Sequence, residues 1–461
     1  MFDSIHETGM DGGQSFMNYT ARPMISPGSV PKVAVMVLAG LAAQAGFAAT
    51  QIETHLAPFV ANREIAGAVV LVADAEKLLQ VGGVGYADIA TKRKMEPDAL
   101  FWIASMTKPI TCTALMMLVD EGKVAVDAPV SQYLREFQDQ MLIVEKDDEH
   151  ILLRKPARPM RVRDLMSHTS GITRKLSLQG AANGDAMPLA TQVAAYAAQP
   201  LESEPGTKYL YTNGGMAVVG RIVEKVSGMA YAEFLQTRIF DPLGMTDTTF
   251  WPTEKQAARL ATGYRGTKDG TGLEPAPLDP FRQPLSDRTR APFPGGGLFS
   301  TAADLAKFCQ MILNQGTFAG RRYLRSELVK QMTSRQTAAG IPESYGFGWT
   351  INGGLIAHGG AWKTNMTINP QAGLITIFMV QNAGWRTDEG KKAEPAFRQA
   401  AFEAFGKTAA PQAAASAAPT PTPAVATLPV IKQHVTAFKE PGRYGGWPAN
   451  HGIWSWGNEI V

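Results

Sequence analysis

The spacing of apolar positions divides this chain into two ends that read as strands and a middle that reads as helices. Ile52, Leu56, Phe59 and Val60 recur at helical spacing across residues 51–61. Residues 65–73 (Ile-Ala-Gly-Ala-Val-Val-Leu-Val-Ala) form a continuous apolar run, which predicts a buried strand, with residues 78–84 as its hairpin partner. A helix is expected from Ser105 to about Glu121, stopped by Gly122. Pro109 fits inside it because a first-turn proline gives up an N–H that has no helical acceptor. From about Val130 to Arg290 the spacing is mostly helical. It includes a short helix over 161–167, ending in the turn His168-Thr-Ser-Gly171, and a strong helix over 214–228 carrying Val218, Val219, Ile222, Val223 and Val226. The Pro/Gly-rich stretch 269–294 reads as loop. Thr301-Ala-Ala-Asp304 has the pattern of a capping box opening a helix through Leu313. Strand-like runs follow at 345–351, 355–358, 366–369 and 374–381, the last two joined by Pro370-Gln-Ala-Gly373, and a final helix covers about 394–405. Strands at both ends and helices between predict an α/β (α+β) fold: an antiparallel sheet built from both ends, flanked by helices, with an all-helical domain inserted.

The flanks differ from this body. Pro31-Lys32 precedes the apolar stretch Val33 to Ala43, and small residues continue to Ala49, the layout of a secretion signal after an N-terminal extension. Met24 is an alternative start that gives a more ordinary leader, and the apolar run is too short for a comfortable membrane span. Residues 1–49 are therefore read as extension plus signal, with the periplasm or the outside as destination. Residues 407–428 are rich in Ala, Pro, Thr and Ser, a semi-rigid linker. Residues 429–461 turn aromatic again, ending in Trp447-Pro-Ala-Asn-His-Gly-Ile-Trp-Ser-Trp456 and beyond.

Composition narrows the class. With 461 residues, 45% hydrophobic and 18% charged, the chain can bury the large core of a soluble enzyme. A net charge of +3 is too small to argue for nucleic acid or an anionic membrane. The two cysteines, Cys112 and Cys309, imply no disulfide framework and read as small buried side chains.

The candidate chemistry centres on Ser105-Met-Thr-Lys108. Residues three apart on a helix share a face, so Lys108 would stand beside the Ser105 hydroxyl. A buried lysine loses its proton more easily and can then accept one from serine. The same spacing occurs at Ser29-Val-Pro-Lys32, within the leader-like segment. What separates Ser105 is the company downstream. Tyr211-Thr-Asn213 precedes a glycine-led helix, where a tyrosine with a depressed pKa near a lysine ammonium could shuttle protons. Asn213 could hold the lysine. Alone, this motif is equally a loop tyrosine and a helix cap. His358-Gly359-Gly360 ends a strand, where two glycines would let substrate approach the edge and the Ala361 N–H could serve an oxyanion. Lys363-Thr-Asn365 is the competing reading of that motif, but it falls where the strand should already be turning.

In this order, Ser105-x-x-Lys108, Tyr211-x-Asn213 and His358-x-Gly360 resemble the serine β-lactamase-like family. That family comprises class C β-lactamases, D-alanyl-D-alanine carboxypeptidases and family VIII carboxylesterases. Arg163 to Ile172, Pro205 to Tyr209, Gly296 to Thr301 and Tyr345 to Trp349 also look like the family, and the resemblance spans about 52–405. It implies a hydrolase domain over 50–406, with its sheet region at about 50–125 and 295–406 and its helical region at about 126–294. It implies Ser105 as the acylated nucleophile and Lys108 as its general base or proton relay. Tyr211 would deprotonate the serine or the deacylating water, and Asn213 would hold Lys108 and the substrate. His358, Gly359 and Gly360 would form the edge, and the N–H groups of Ser105 and Ala361 the oxyanion hole. Trp349 and Trp362 would line the pocket, and no metal or cofactor is implied. His358 stands where class C β-lactamases usually have lysine. A neutral imidazole offers no fixed charge to a substrate carboxylate, which favours small-molecule esters over β-lactams or peptide C-termini. A β-lactamase or D-alanyl-D-alanine carboxypeptidase is the alternative on the same machinery, and a non-catalytic sensor or scaffold the alternative of another class. A Ser-His-Asp esterase is disfavoured, since no Gly-x-Ser-x-Gly occurs. The tail from Trp447 looks like the opening strand of sialidase-type propellers, but a propeller needs several blades, so no sialidase activity is inferred.

Overall fold

The structure is a computed structural model. It describes residues 52, 55–174, 176, 187–278, 281 and 284–406, and the backbone of Ser455–Trp456 and Glu459–Ile460. The leader, the linker and all of the tail but these two short strands lie outside the described residues.

One antiparallel sheet organises the molecule. Its strands are β1 (Gly67–Ala73), β2 (Leu78–Asp88), β3 (Arg93–Lys94), β4 (Thr350–Asn352), β5 (Leu355–Gly359), β6 (Asn365–Asn369) and β7 (Leu374–Met379). Their order across the sheet is β4-β5-β6-β7-β1-β2-β3. Strand β1 thus pairs the two ends of the chain, with Val70 opposite Phe378 and Leu71 opposite Ile377.

The helices used below are α1 (Thr107–Asp120), α2 (Val162–Met166), α3 (Leu189–Ala197), α4 (Asn213–Ser227), α5 (Ala302–Leu313) and α6 (Ala393–Phe405). β1 is buried at every position because both faces of the sheet are covered. Val69, Leu71 and Ala73 join the main core with Leu305, Phe308 and Ile312 of α5. Ala68, Val70 and Val72 alternate to the other face and meet Phe397 and Ala401 of α6. Cys112 and Cys309 are buried free thiols.

Three sequence expectations change. The region 126–294 is not all-helical: Leu142–Lys146 and Ile151–Arg154 form a hairpin, and Glu459 pairs with it at Arg154. The Asp147 carboxylate accepts the N–H groups of Glu149 and His150 at 2.8 and 2.6 Å, fixing the turn between apolar runs that composition alone leaves readable as helix. Tyr264–Gly266 and Leu273–Pro275 also pair. Lastly, 345–349 is not strand. Gly348, at φ 80°, turns the chain there, and only Thr350–Asn352 joins the sheet.

Among the described residues no helix is long and apolar enough to cross a membrane, and no cluster of three His, Cys, Asp or Glu side chains could hold a metal ion.

Candidate active site

Three elements meet at one point: the start of α1, the residues leading into α4, and the end of β5. Ser105 lies in a single 3₁₀ turn, Ala104–Met106, that runs directly into α1. The helix that follows is buried along almost its whole length, so Lys108 in its first turn is completely enclosed. Thr212 caps α4, its hydroxyl accepting the Gly214 N–H at 3.0 Å. This leaves Tyr211 on the extended approach and Asn213 as the first helical residue. On the sheet, β4 stops at Thr350 opposite Ala357. His358 and Gly359 therefore run past it toward the Ser105 turn.

The Lys108 Nζ lies 3.0 Å from the Ser105 Oγ, 2.9 Å from the Asn213 Oδ1 and 2.6 Å from the Gly295 carbonyl oxygen. Burial is the main cause that pulls the lysine pKa down to about 7; the nearby Cys112 acts weakly the other way. A neutral amine has two N–H groups and one lone pair. Asn213 and Gly295 can only accept from it, so they take both N–H groups. The lone pair is left for the Ser105 hydroxyl. The fixed acceptors thus aim the basic electron pair at the Ser105 hydroxyl.

Tyr211 hydrogen-bonds Ser105, and its ring sits beneath the lysine, with Nζ 4.6 Å from the ring centroid. Its pKa does not fall as the sequence suggested. Burial raises it to about 12, and the bond to Ser105 only partly offsets this. The same burial leaves Lys108 uncharged above about 7, so no fixed cation remains at the higher pH where the phenol would titrate. Tyr211 keeps its proton and Lys108 is the group poised to lose one.

His358 is 4% exposed and neutral, its pKa driven down to about 3 by burial and then by Lys108. Its Nδ1 donates to the Gly359 carbonyl at 2.8 Å, and its Nε2 accepts from the Tyr345 hydroxyl at 2.9 Å. Both ring nitrogens are thus committed to the protein. Gly359 is exposed, and a Cβ there would meet nothing closer than 3.6 Å. Gly360 is different: a Cβ would fall 2.1 Å from the Thr364 Oγ1 and 2.7 Å from the Ile103 carbonyl oxygen. Its bareness lets the strand end pack on the backbone just before Ser105. A tight turn follows, closed by Gly360 N–H to Thr364 at 2.7 Å and Lys363 N–H to Gly360 at 3.0 Å, and it presents Ala361 at the surface. Lys363 is in this turn, at φ 68°, so the Lys-Thr-Asn reading of the edge motif does not hold.

Trp362 lies in a cluster with Trp102, Phe281, Leu285 and Ala104, the residue that precedes Ser105. Trp349 does not line a pocket. It is fully buried in the main core, stacked on Phe308 of α5. The Gly348 turn directs it inward rather than toward substrate.

The sequence reading missed three contributors. The Gly295 carbonyl holds Lys108, and a Cβ on Gly295 would come 2.6 Å from the Asn213 Oδ1. Tyr345 braces His358. His168 packs its ring on Tyr211, with centroids 4.4 Å apart. Each lies in or beside a stretch whose likeness to the family was visible, but a carbonyl and a ring stack leave no residue pattern of their own. Ala104, His168 and Lys363 all carry positive φ (44°, 58° and 68°), and strain of this kind gathers at functional sites.

The Beta-lactamase family profile matches residues 52–401. Protein Rv1367c of Mycobacterium tuberculosis (strain ATCC 25618 / H37Rv) is 32% identical over 350 residues, covering 69% of this chain and 86% of its own. Lovastatin esterase of Penicillium rubens is 32% identical over 232 residues, covering 48% and 57%. Among solved structures, EstCE1, a hydrolase with promiscuous acyltransferase activity, superposes with a TM-score of 0.63 over 80% of this chain and 100% of its own, at 21% identity, a likeness of fold. With the profile spanning the sheet and the helical region alike, the chain belongs to the Beta-lactamase family of serine hydrolases.

Proposed function

We propose that this protein is a carboxylesterase that cleaves small acyl esters through an acyl-enzyme on Ser105. The observation that carries the choice of ester is His358. The strand that would face a substrate carboxylate offers a buried, uncharged imidazole with both nitrogens already bonded. A β-lactam or a peptide C-terminus would find no fixed positive charge there. The relative named as an esterase supports the same reading.

The mechanism follows from the contacts. Lys108, in its neutral form, takes the Ser105 proton as Oγ attacks the ester carbonyl. The N–H groups of Ser105 and Ala361 receive the oxyanion, a contribution of about 10²–10³ in rate per donor. Tyr211, protonated and bonded to Ser105, donates to the departing alkoxide. The Lys108 ammonium then returns the serine proton to the Tyr211 phenolate, so both groups regain their starting states as the acyl-enzyme forms. Water then enters against the acyl carbonyl, and the same groups run the transfer in reverse. General acid–base catalysis of this kind supplies roughly 10²–10⁴ in rate. Export to the periplasm or beyond is part of the proposal and rests on the leader-like stretch before residue 50; N-terminal sequencing of the mature protein checks it.

The test is a panel of p-nitrophenyl acetate, p-nitrophenyl butyrate, nitrocefin and a D-Ala-D-Ala peptide, run on the wild type and Ser105→Ala. The expected result is ester turnover by the wild type alone, with nitrocefin and peptide far slower. Equal ester turnover by the variant would sink the mechanism. Nitrocefin cleaved faster than ester would promote the β-lactamase reading, and a wild type silent on all four would favour a non-catalytic role.

A further inference from the structure

One residue outside the proposed proton path grips the whole segment that delivers Tyr211. The His168 carbonyl accepts the Leu210 N–H at 2.7 Å. Its Nδ1 accepts the Thr212 N–H in a long contact of 3.5 Å. Between these, its ring lies against Tyr211, with centroids 4.4 Å apart and planes at 45°. His168 therefore touches the residue before Tyr211, Tyr211 itself and the residue after it. The ring is completely buried and also packs on Tyr345, with centroids 5.0 Å apart, the tyrosine that bonds His358. Its backbone holds a positive φ of 58°, uncommon outside glycine, although histidine adopts it more readily than most residues. With Nδ1 accepting, the ring hydrogen sits on Nε2, and that buried atom has no hydrogen-bond partner among the described residues. Leaving a buried donor unpaired is unfavourable, as is the backbone conformation. What these costs accompany is the set of contacts to Leu210, Tyr211 and Thr212, which place the ring against Tyr211.

We propose that His168 is a positioning residue for Tyr211, holding its hydroxyl within hydrogen-bond reach of the Ser105 Oγ through both half-reactions. The proposal rests on Tyr211 being the proton carrier described above. A small misplacement of such a group costs up to about 100-fold in rate.

Two variants separate the contacts. His168→Asn keeps a side chain that tolerates positive φ and can accept a hydrogen bond, but it removes the ring. His168→Phe keeps the ring and removes the acceptor. Each is made in the wild type and in Tyr211→Phe, and kcat and KM are measured on p-nitrophenyl butyrate. The expected result is a kcat lowered about 10-fold or more with KM within about twofold in the wild-type background, and no further loss in Tyr211→Phe. A loss of the same size in both backgrounds, a loss carried by KM, or no loss would overturn the proposal. If Tyr211→Phe is itself fully active, the proton-carrier reading fails instead. If neither variant folds, nuclear magnetic resonance of the wild type with nitrogen-labelled histidine decides. A neutral His168 protonated at Nε2, whose signals move in Tyr211→Phe, supports the role, and an Nδ1–H or charged ring overturns it.

Discussion

Among the described residues Lys108 has three polar contacts, and two of them can never change direction. The Asn213 Oδ1 and the Gly295 carbonyl only accept, so the third contact, to Ser105, reverses when the proton moves. The pH dependence follows. The base must be neutral before it can act, and its pKa is lowered to about 7. Ester kcat/KM should therefore rise with pH through about 7 and then level off. Tyr211 should keep its proton up to about 12, so no alkaline fall should follow in the range where the protein is ordinarily assayed. Initial rates on p-nitrophenyl butyrate, corrected for spontaneous hydrolysis, check this. A profile flat through neutrality would assign the first proton to another group.

At the scale of elements, the site depends on how closely the end of β5 approaches the turn before α1. Gly360→Ala should drive the turn away from Ile103, because its Cβ would fall 2.1 Å from the Thr364 Oγ1 and 2.7 Å from the Ile103 carbonyl. We expect a lower melting temperature and a kcat reduced by about 10–100-fold. Gly359→Ala meets only an ordinary contact at 3.6 Å and should melt like the wild type, with any cost appearing in KM. Melting curves and ester kinetics of the pair check this, and equal melting would place the constraint elsewhere. The contrast also shows what the sequence made legible. The sheet strands, α1, α4 and α5 were readable because their periodicity, caps and glycine stops are local. Ser105, Lys108, Tyr211 and Asn213 stood out because each motif is contiguous. That Gly360 and not Gly359 is sterically required could not be read, since the clashing atoms belong to residues 103 and 364. The Leu142–Lys146 hairpin was missed because short apolar runs fit either period, and Trp349 because its direction depends on the Gly348 turn.

At the scale of the whole molecule, the site is built from bases held in uncharged form, and folding stability carries the consequence. Unfolding returns Lys108 to its ordinary pKa of 10.5 from about 7. Between those values the unfolded chain binds more protons, so stability gained from this group is full above 10.5 and lost as pH falls toward 7. His358, at about 3 against an ordinary 6.5, acts the same way in a lower window, and buried His168 shifts in the same direction. The His358 contribution is full above 6.5 and is lost as pH falls toward 3, and His168 adds to the loss somewhere below 6.5. Asp304 and Glu394, raised by burial, oppose this where carboxylates titrate. Lys108→Met isolates the lysine, because it keeps the apolar stem and drops the amine. It also leaves the Asn213 and Gly295 oxygens unpaired, so its stability at a single pH mixes two effects. The dependence on pH does not, since those oxygens do not titrate. Relative to wild type, Lys108→Met should be most favoured near neutrality and lose that advantage as pH rises toward about 10, a swing of several kcal/mol. Denaturant unfolding of both proteins at neutral and alkaline pH measures it. A difference that stays constant with pH would mean that Lys108 keeps its charge inside the fold, and the lone pair aimed at Ser105 would not exist.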